Sequence, residues 1–288
     1  MQIFNLANDK GAQNVMFGIF PEENNIIIHI FEEDIETNQA FINAAVEQYG
    51  PKIIIQPREE LSNTKISINK RDLKVRLLGG DGLFNQNEES CSIGFFAKAK
   101  NETKNYIVTA EHCRLDSGNE TEFCYGAWDK QPTNLLVGLM LPKVNEKYDF
   151  GLIDLSNMNE YLEPSQSIRN TDSVQFPQLS LNDGTPVLSH GAHLCKSGYS
   201  THVSCGFVKA FNVIYYVGDG GFESDLIMTS MDSHGGDSGG TAFAYSNFNT
   251  VILNGILVSG IGNANTLILP LSMIIEHSNV EPITASNI

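Results

Sequence analysis

From Leu77 onward, the chain consists of short apolar runs separated by Gly, Asn, Asp and Ser, with almost no helical periodicity. Runs of this kind and spacing are typical of strands in an all-β barrel or sandwich. They are CSIGFFAKA, NYIVTA, NLLVGLM, YDFGLIDL, VSCGFVKAFNVIYYV, DLIMTSM, TAFAY and VILNGILVSG. A short helix is predicted only for LSMIIEH, Leu271 to His277. Residues 77–288 are therefore predicted to form an all-β domain.

The sequence before this domain has a different character. Residues 1–57 are predicted to form a small α+β domain with the order strand, strand, helix, strand, in VMFGIF, NNIIIHIF, DIETNQAFINAAVEQYG and KIIIQ. Asp34 or Thr37 is predicted to cap the helix, and Gly50 followed by Pro51 ends it. Residues 58–76 are polar and basic, which predicts a linker open to cleavage at its dibasic sites.

Composition excludes several classes of partner. The chain has 288 residues, of which 41% are hydrophobic, enough for packed cores. A net charge of −16 argues against nucleic acid or an anionic membrane as the main partner. No stretch approaches the ~20 consecutive apolar residues that span a bilayer. The sequence therefore predicts no nucleic-acid partner and no membrane partner.

The five cysteines predict disulfides rather than a metal site. They contain no C-x-x-C pair, so no metal is expected. Cys91 with Cys113, and Cys195 with Cys205, close loops of about twenty and about ten residues, which suits an oxidising compartment. Cys124 is left over and is expected to be unpaired or to bridge to another molecule.

Two glycosylation sequons, at Asn101 and Asn119, also favour secretion. The opening MQIFNLANDKGAQNVMFGIF lacks the basic start and apolar run of a signal peptide. We therefore expect a secreted protein whose natural start lies upstream of Met1.

The segment HGGDSGGTAF contains Ser238 between an aspartate and two glycines. A glycine-rich turn alone explains this composition. A nucleophilic serine needs in addition a base, a carboxylate that orients the base, and donors for an oxyanion. The rest of the chain therefore decides between the two interpretations.

One histidine and one aspartate stand out as its partners. Among seven histidines, His112 ends the apolar run YIVTAEHC, where a bridge from Cys113 to Cys91 would hold it on a rigid support. Asp149 in KYDFGLIDL begins an apolar strand, where a buried carboxylate needs hydrogen bonds such as an imidazole N–H. The alternative for Asp149 is a strand-edge residue that caps a turn. The order histidine, aspartate, serine matches one known arrangement of a catalytic triad.

Four motifs together resemble the chymotrypsin-like serine proteases, specifically the streptogrisin and alpha-lytic branch: CSIGF…YIVTAEHC, YDFGLIDL, CKSGYSTHVSCGFVKAFNV and GGDSGG. The match runs roughly from Leu78 to Ser272, and the segment from Cys195 to Cys205 is distinctive of this branch. The resemblance implies a double six-stranded β-barrel that hydrolyses peptide bonds through an acyl-enzyme, without a cofactor.

The resemblance also implies a role for each residue of the candidate site. Ser238 would be the nucleophile, His112 the general base and then acid, and Asp149 the carboxylate that orients His112. The backbone N–H groups of Gly236 and Ser238 would form the oxyanion hole. Asp237 would have a partner inside the protein, which the sequence leaves open.

Substrate binding is implied for a further segment. Ser259 matches the serine that supports the catalytic carboxylate. The backbone from Ser259 through Gly260 to Ile261 would pair with an extended polypeptide substrate as an added strand.

Two alignments of the segment before Ser238 give different specificity pockets. Counting back without gaps puts Asp232 at the pocket base, which would select Lys or Arg. The longer segment of the streptogrisin branch puts Ser230 near an uncharged floor, suited to apolar or small side chains, and Asp232 in place of a missing disulfide cysteine. We favour the second alignment because the Cys195 to Cys205 segment ties the chain to that branch.

The predicted function is that of a secreted serine endopeptidase made as a proenzyme. Residues 1 to about 76 resemble the terminal α+β portion of the family's propeptides, which assist folding and inhibit the protease, and Leu77 is the expected mature start. Expected partners are polypeptide substrates and this propeptide, and the protein is expected to be a monomer. The alternatives are an unrelated accessory domain at the N-terminus, a catalytically silent binding protein, and an esterase. An esterase of the other common fold would place the histidine last.

Two features depart from the family's pattern. Glu111 stands where most relatives carry glycine or alanine, and it is expected to point to solvent. The usual third disulfide near the specificity pocket is missing, since neither MTSMDSHGG nor SGIGNANT contains a cysteine.

Overall fold

The structure is a computed structural model that describes residues 2–13, 15–20, 25–56, 74–115, 120–143, 145, 147–217, 221–260 and 265–287. The chain divides into two compact units, Met1–Ile68 and Asn69–Ile288. Most of the predicted linker 58–76 lies outside the described residues, but Val75 and Arg76 at its end belong to a strand.

The first unit is a three-stranded sheet with helices. Its elements are α1 (Gln2–Asp9), β1 (Val15–Phe20), β2 (Asn25–Phe31), α2 (Gln39–Tyr49) and β3 (Lys52–Gln56). Strand β2 pairs antiparallel with β1 and parallel with β3, so α2 forms the crossover. The predicted order of strands and helix is therefore confirmed, and α1 is an element that the sequence did not predict.

The start of α2 differs from the prediction. Its N-cap is Asn38, whereas Asp34 lies in a preceding 3-10 turn. The buried Asn38 side chain accepts from the Gln13 N–H at 2.8 Å and donates to the Gln13 and Asp34 carbonyls, each at 2.7 Å. Gly50 ends the helix in the left-handed conformation, with its N–H bonded to the Val46 carbonyl.

The second unit contains two curled sheets, of eight and nine strands. The strands of the eight-stranded sheet are β5 (Gly82–Phe84), β6 (Ser90–Ser92), β7 (Phe95–Ala99), β8 (Asn105–Thr109), β9 (Thr121–Gly126), β10 (Leu136–Met140), β11 (Gly151–Asp154) and β20 (Val280–Pro282). They lie in the order β20-β7-β8-β11-β10-β9-β5-β6.

The strands of the nine-stranded sheet are β4 (Val75–Gly79), β12 (Leu162–Arg169), β13 (Gln178–Gly184), β14 (His193–Gly198), β15 (His202–Val217), β16 (Gly221–Thr229), β17 (Thr241–Tyr245), β18 (Thr250–Gly260) and β19 (Thr266–Pro270). They lie in the order β17-β14-β15-β16-β19-β18-β13-β12-β4, and β17 also pairs with β18, which closes this sheet on itself. Helix α3 (Leu271–His277) follows β19, as predicted.

Strand β8 shows why the apolar runs become buried strands. Successive side chains of a strand point to opposite faces. Tyr106 and Val108 pack into a core that includes Phe243 and Ile256 of the other sheet, whereas Ile107 packs into the core of its own sheet. Both faces are buried, so the run is apolar throughout rather than alternating.

The predicted all-β fold with two barrels is confirmed. With eight and nine strands, each sheet holds more than the six predicted, and β20 and β4 lie at the edges of the two sheets. Among the described residues, no helix is long and apolar enough to cross a membrane.

Candidate active site

Strand pairing brings His112 and Asp149 together. His112 lies in a 3-10 turn, Glu111–Cys113, shortly after the end of β8. Strand β11 pairs antiparallel with β8 so that Gly151 lies opposite Thr109. The residues that follow β8 therefore meet those that precede β11, among them Asp149.

Hydrogen bonds join Asp149, His112 and Ser238 in a chain. One carboxylate oxygen of Asp149 accepts from the His112 backbone N–H at 2.9 Å, and the other lies 2.6 Å from His112 Nδ1. On the far side of the ring, His112 Nε2 lies 2.8 Å from Ser238 Oγ. The Asp149 side chain is 8% exposed and that of His112 47%, so a nearly buried carboxylate orients an accessible imidazole.

The environment shifts the pKa of His112. Burial alone lowers this pKa, but the hydrogen bond and negative charge of Asp149 outweigh it. The charges of Glu223 and Glu111 act in the same direction as Asp149, and the pKa lies above its usual value. The neutral imidazole that can accept a proton is therefore lost as the pH falls through that raised pKa.

Lys196 is the internal partner of Asp237 that the sequence left open. Lys196 Nζ lies 2.9 Å from Asp237 Oδ2, and both side chains are fully buried. The ammonium also donates to the His202 carbonyl at 3.1 Å and to Thr201 Oγ1, so each of its three protons has an acceptor. Burial, the largest effect, lowers the pKa of Lys196 although Asp237 acts in the opposite direction.

Asp237 also fixes the segments around it. Its Oδ1 atom accepts from the backbone N–H groups of Ser200 at 2.9 Å and Thr201 at 3.0 Å, and its Oδ2 atom from that of His234 at 3.0 Å. Burial alone raises the pKa of Asp237, but Lys196 and these hydrogen bonds lower it overall. The aspartate therefore stays ionised and holds the loop that carries Ser238.

Gly236 has a backbone conformation that favours glycine. Its φ is +98°, and a Cβ added there would collide with Ser200 Oγ. Ser92 holds the same turn, since its hydroxyl donates to the Gly236 carbonyl at 2.7 Å and its N–H to the Ser238 carbonyl at 2.7 Å. Among the described residues, none accepts a hydrogen bond from the N–H of Gly236 or Ser238.

A cleft of about 510 Å³ opens beside Ser238. Its lining includes His112, Ser238, Ser259 and Gly260. The remaining lining residues are Tyr215, Glu223, Ser233, His234, Gly235, Leu257 and Val258. Ile261, the last residue of the segment predicted to pair with the substrate, lies outside the described residues.

Neither residue proposed for the pocket base lines this cleft. Asp232 is exposed, and its carbonyl accepts from the Ser204 hydroxyl at 2.6 Å. Ser230 Oγ accepts from the Phe207 N–H at 2.8 Å. Ser233, which the sequence did not single out, lines the cleft instead. Ser259 lines it too, but no hydrogen bond joins Ser259 to Asp149 in the described part of the chain.

The prediction that Glu111 points to solvent is wrong. Glu111 is 7% exposed and pairs with the Arg114 guanidinium at 2.5 Å. Arg114 also donates to the Leu141 carbonyl. An ion pair with this partner allows the carboxylate to be buried beside His112.

Both predicted disulfides are present, Cys91–Cys113 and Cys195–Cys205, and Cys124 is unpaired and partly buried. Burial raises the pKa of the Cys124 thiol. Cys91 and Cys113 lie near His112, and Cys195 and Cys205 near His193, within metal-binding distances. Because all four cysteines are oxidised, they offer no thiolate for a metal ion.

Residues 94–282 match the Trypsin family. The chain therefore belongs to the trypsin family and is a serine endopeptidase. This confirms the family resemblance drawn from the four motifs.

The comparisons place relatives in the expected branch. Glutamyl endopeptidase 2 of Streptomyces griseus is 29% identical over 173 residues, 59% of this chain and 80% of the relative. An alpha-lytic protease homologue, N4, superposes with a TM-score of 0.54 at 21% identity, over 72% of this chain and 98% of that one. A glutamic acid specific serine protease that uses a histidine triad in substrate binding gives a TM-score of 0.57 at 23% identity, over 72% and 100% of the two chains. The two solved structures show the shared fold.

Proposed function

We propose that Ser238, His112 and Asp149 form the catalytic triad of this endopeptidase. The observation that supports this proposal most directly is the continuous chain of hydrogen bonds from Asp149 through His112 to Ser238. In this mechanism His112 Nε2 takes the proton of the Ser238 hydroxyl as Oγ attacks the scissile carbonyl carbon. The same nitrogen then gives that proton to the leaving amine, and an acyl-enzyme remains on Ser238. Asp149 stabilises the imidazolium that forms between the two steps.

The backbone N–H groups of Gly236 and Ser238 would receive the oxyanion of each tetrahedral intermediate. The left-handed turn at Gly236 and the anchoring of Asp237 by Lys196 support this role, since both fix the peptide planes before substrate arrives. Donors that are already oriented need no reorganisation during the reaction.

The substrate would add a strand beside Ser259 and Gly260. Strand β19 pairs with both residues, whereas the pairing of β17 with β18 ends at Ile256. One edge of the segment is therefore open toward the cleft, where an extended polypeptide can pair with it through main-chain hydrogen bonds.

For P1, the residue that supplies the scissile carbonyl, we expect an uncharged side chain. Asp232 lies outside the cleft, which speaks against a pocket for Lys or Arg. The Thr266 hydroxyl donates its one proton to the Met231 carbonyl at 2.8 Å. In the 2.9 Å hydrogen bond between Ser233 Oγ and Thr266 Oγ1, the donor is therefore Ser233. Ser233 Oγ can then only accept a further hydrogen bond, and it cannot donate one to a glutamate carboxylate at P1. A glutamate side chain would need another donor, such as His234.

The triad is tested by covalent labelling. The full chain should react with a fluorophosphonate probe and hydrolyse casein, and Ser238→Ala should abolish the labelling and lower peptide turnover on the order of 10⁶-fold. Ser246→Ala, at an exposed serine, is the matched control and should behave as the wild type. Failure of the folded wild type to react would contradict the triad and favour a catalytically silent binding protein. Hydrolysis of small esters without casein or peptides would favour an esterase.

The P1 preference is tested with a peptide library cleaved by the wild type and by Asp232→Ala. We expect similar profiles, dominated by uncharged residues before the cut. A strong preference for Arg and Lys that Asp232→Ala abolishes would show that the ungapped alignment is the right one. A preference for Glu that is lost in His234→Ala would instead assign the specificity named in the Streptomyces griseus relative.

We further propose that the first unit is a propeptide and that the protein works outside the cytosol. The family match begins at residue 94, and the first unit has its own buried core, which supports a separate, removable region. The two disulfides support an oxidising compartment.

A further inference from the structure

Glu223 places in the cleft a carboxylate that the proposed mechanism does not use. It belongs to β16 and lies opposite Tyr215 of β15. Both side chains line the cleft together with His112 and Ser238. The Oε2 atom of Glu223 is buried and has no hydrogen-bond partner among the described residues. A buried acceptor without a donor is destabilising, so this atom points to a donor supplied from outside the chain.

The position of Glu223 is fixed by an anchor two residues along the same strand. Asp225 Oδ2 accepts from Lys147 Nζ and from the Tyr148 hydroxyl, each at 2.9 Å. Tyr148 is buried and directly precedes Asp149. Strand β16 is therefore tied to the loop that carries the aspartate of the triad.

The charges around Glu223 leave its carboxylate without compensation. Burial and the charge of Asp149 raise the pKa of Glu223 to about 7, although His112 acts in the opposite direction. Tyr215 and His234 are the other titratable groups that line the cleft, and Asp225 on the same strand is occupied by Lys147. A cation placed in the cleft would supply both the missing donor and the missing charge.

We propose that Glu223 forms a subsite that binds the positively charged side chain of a substrate Lys or Arg at P2, the residue immediately before P1. The proposal rests on the function proposed above, because it takes the cleft to be the substrate site.

The assignment to P2 follows from strand geometry. Side chains of a substrate strand paired with Ser259 and Gly260 alternate between its two sides. When P1 points between Gly260 and the segment 233–235, P2 points to the opposite side, toward His112. Glu223 lies on that side, since it lines the cleft together with His112 and its charge acts on both His112 and Asp149.

The test uses acetyl-Ala-Ala-X-Y-4-nitroanilide substrates and the full chain, with any self-processing allowed to finish. Y is the residue among Phe, Glu and Arg that the wild type cleaves fastest, and X is arginine, lysine, citrulline, norleucine or glutamate. We expect kcat/KM to be about 10- to 100-fold higher for arginine and lysine than for citrulline and norleucine, as expected for a charge-assisted hydrogen bond. Glu223→Gln should bring arginine and lysine to within about 3-fold of citrulline, with norleucine almost unchanged.

Glu281→Gln is the matched control, because it removes the same charge at a partly exposed ion pair with Lys98. It should keep the wild-type preference. The proposal is overturned when the wild type does not distinguish arginine from citrulline, or when the preference survives in Glu223→Gln. It is also overturned when Glu223→Gln slows all five substrates equally, since that result would mean that Glu223 acts only on His112.

A pH series gives an independent readout. The ratio of kcat/KM for arginine to that for norleucine should rise between about pH 5.5 and about pH 8.5 in the wild type, as Glu223 loses its proton, and stay flat in Glu223→Gln. Titration of His112 affects both substrates alike and cancels in the ratio. A wild-type ratio near one at every pH of the series contradicts the proposal. When Ser238 is labelled and peptides are cleaved without a preference at P2, this inference alone fails. Absence of both labelling and cleavage overturns the triad as well.

Discussion

At the scale of single residues, the most consequential contact is the buried pair of Lys196 and Asp237. Removing one partner of such a pair leaves an uncompensated charge in the interior, which costs more than the pair itself contributes. Here the stranded charge would be that of Asp237, which is hydrogen-bonded to the backbone of three residues near Ser238. Stability and the geometry of the proposed oxyanion hole are therefore expected to be lost together.

We predict that Lys196→Met lowers the free energy of unfolding by about 3–5 kcal/mol and removes most fluorophosphonate labelling. Lys98→Met, which breaks a partly exposed ion pair with Glu281, should lower it by less than about 1 kcal/mol and leave labelling intact. Urea denaturation of both variants in a Ser238→Ala background measures the two changes in unfolding free energy without self-digestion, and labelling is measured with Ser238 in place. Equal losses of unfolding free energy in the two variants would show that the buried carboxylate of Asp237 is compensated by another group.

Some residues of the candidate site can be predicted from the sequence, and others cannot. Residues with strong local motifs, such as His112 and Ser238, could be proposed from their neighbours alone. A carboxylate is usually exposed, and only the position of Arg114 shows that Glu111 can be buried. Ser233 and Glu223 carry no motif. The place of Glu223 follows from the pairing of β16 with β15, and that of Ser233 from its side-chain contact with Thr266, 33 residues further along the chain.

At the scale of elements, the chain's pattern predicted which segments are strands but not how they pair. Apolar runs identified β8 and β11, and their register, which places Asp149 beside His112, follows only from the assembled sheet. Helix α1 has no acidic residue in its first turn and no basic residue in its last turn, and only the left-handed Gly11 beyond its end marks it in the sequence. The start of β4 at Val75 was missed because its partner β12 lies far along the chain.

The disulfide Cys91–Cys113 holds the turn that carries His112, and it closes a separation of 22 residues. We predict that replacing both cysteines by alanine lowers the free energy of unfolding by about 3 kcal/mol, because the unfolded chain regains the entropy of an open loop. Cys124→Ala is the control and should cost less than about 1 kcal/mol, since this thiol is partly buried and unpaired. Urea denaturation without reductant measures both. Peptide mapping without reduction that finds Cys124 joined to any other cysteine would contradict the pairing.

At the scale of the whole molecule, the sequence predicts an α+β unit followed by an all-β unit. The basis is the change near Leu77 from a helical pattern to short apolar runs, and the chain also divides into two compact units of different secondary structure. The predicted linker, residues 58–76, includes two residues of strand β4. Val75 and Arg76 already pair with β12, and the Arg76 guanidinium donates to Ser165 Oγ at 2.7 Å. A protease needs an extended, unpaired segment in its cleft, and residues held in a sheet do not offer one.

We therefore predict that maturation cuts the chain before Val75, between residues 57 and 75, rather than at Leu77. When the full chain folds in an oxidising buffer, the wild type should shorten to a product with its N-terminus in this range, whereas Ser238→Ala stays at full length, because the proposed nucleophile makes the cut. Intact-mass measurement and N-terminal sequencing identify the product. Equal shortening of purified Ser238→Ala would assign the cut to another protease. A wild type that stays at full length and still hydrolyses casein would mean that the first unit is an accessory domain, because a propeptide that inhibits the protease has to be removed before substrate can reach Ser238.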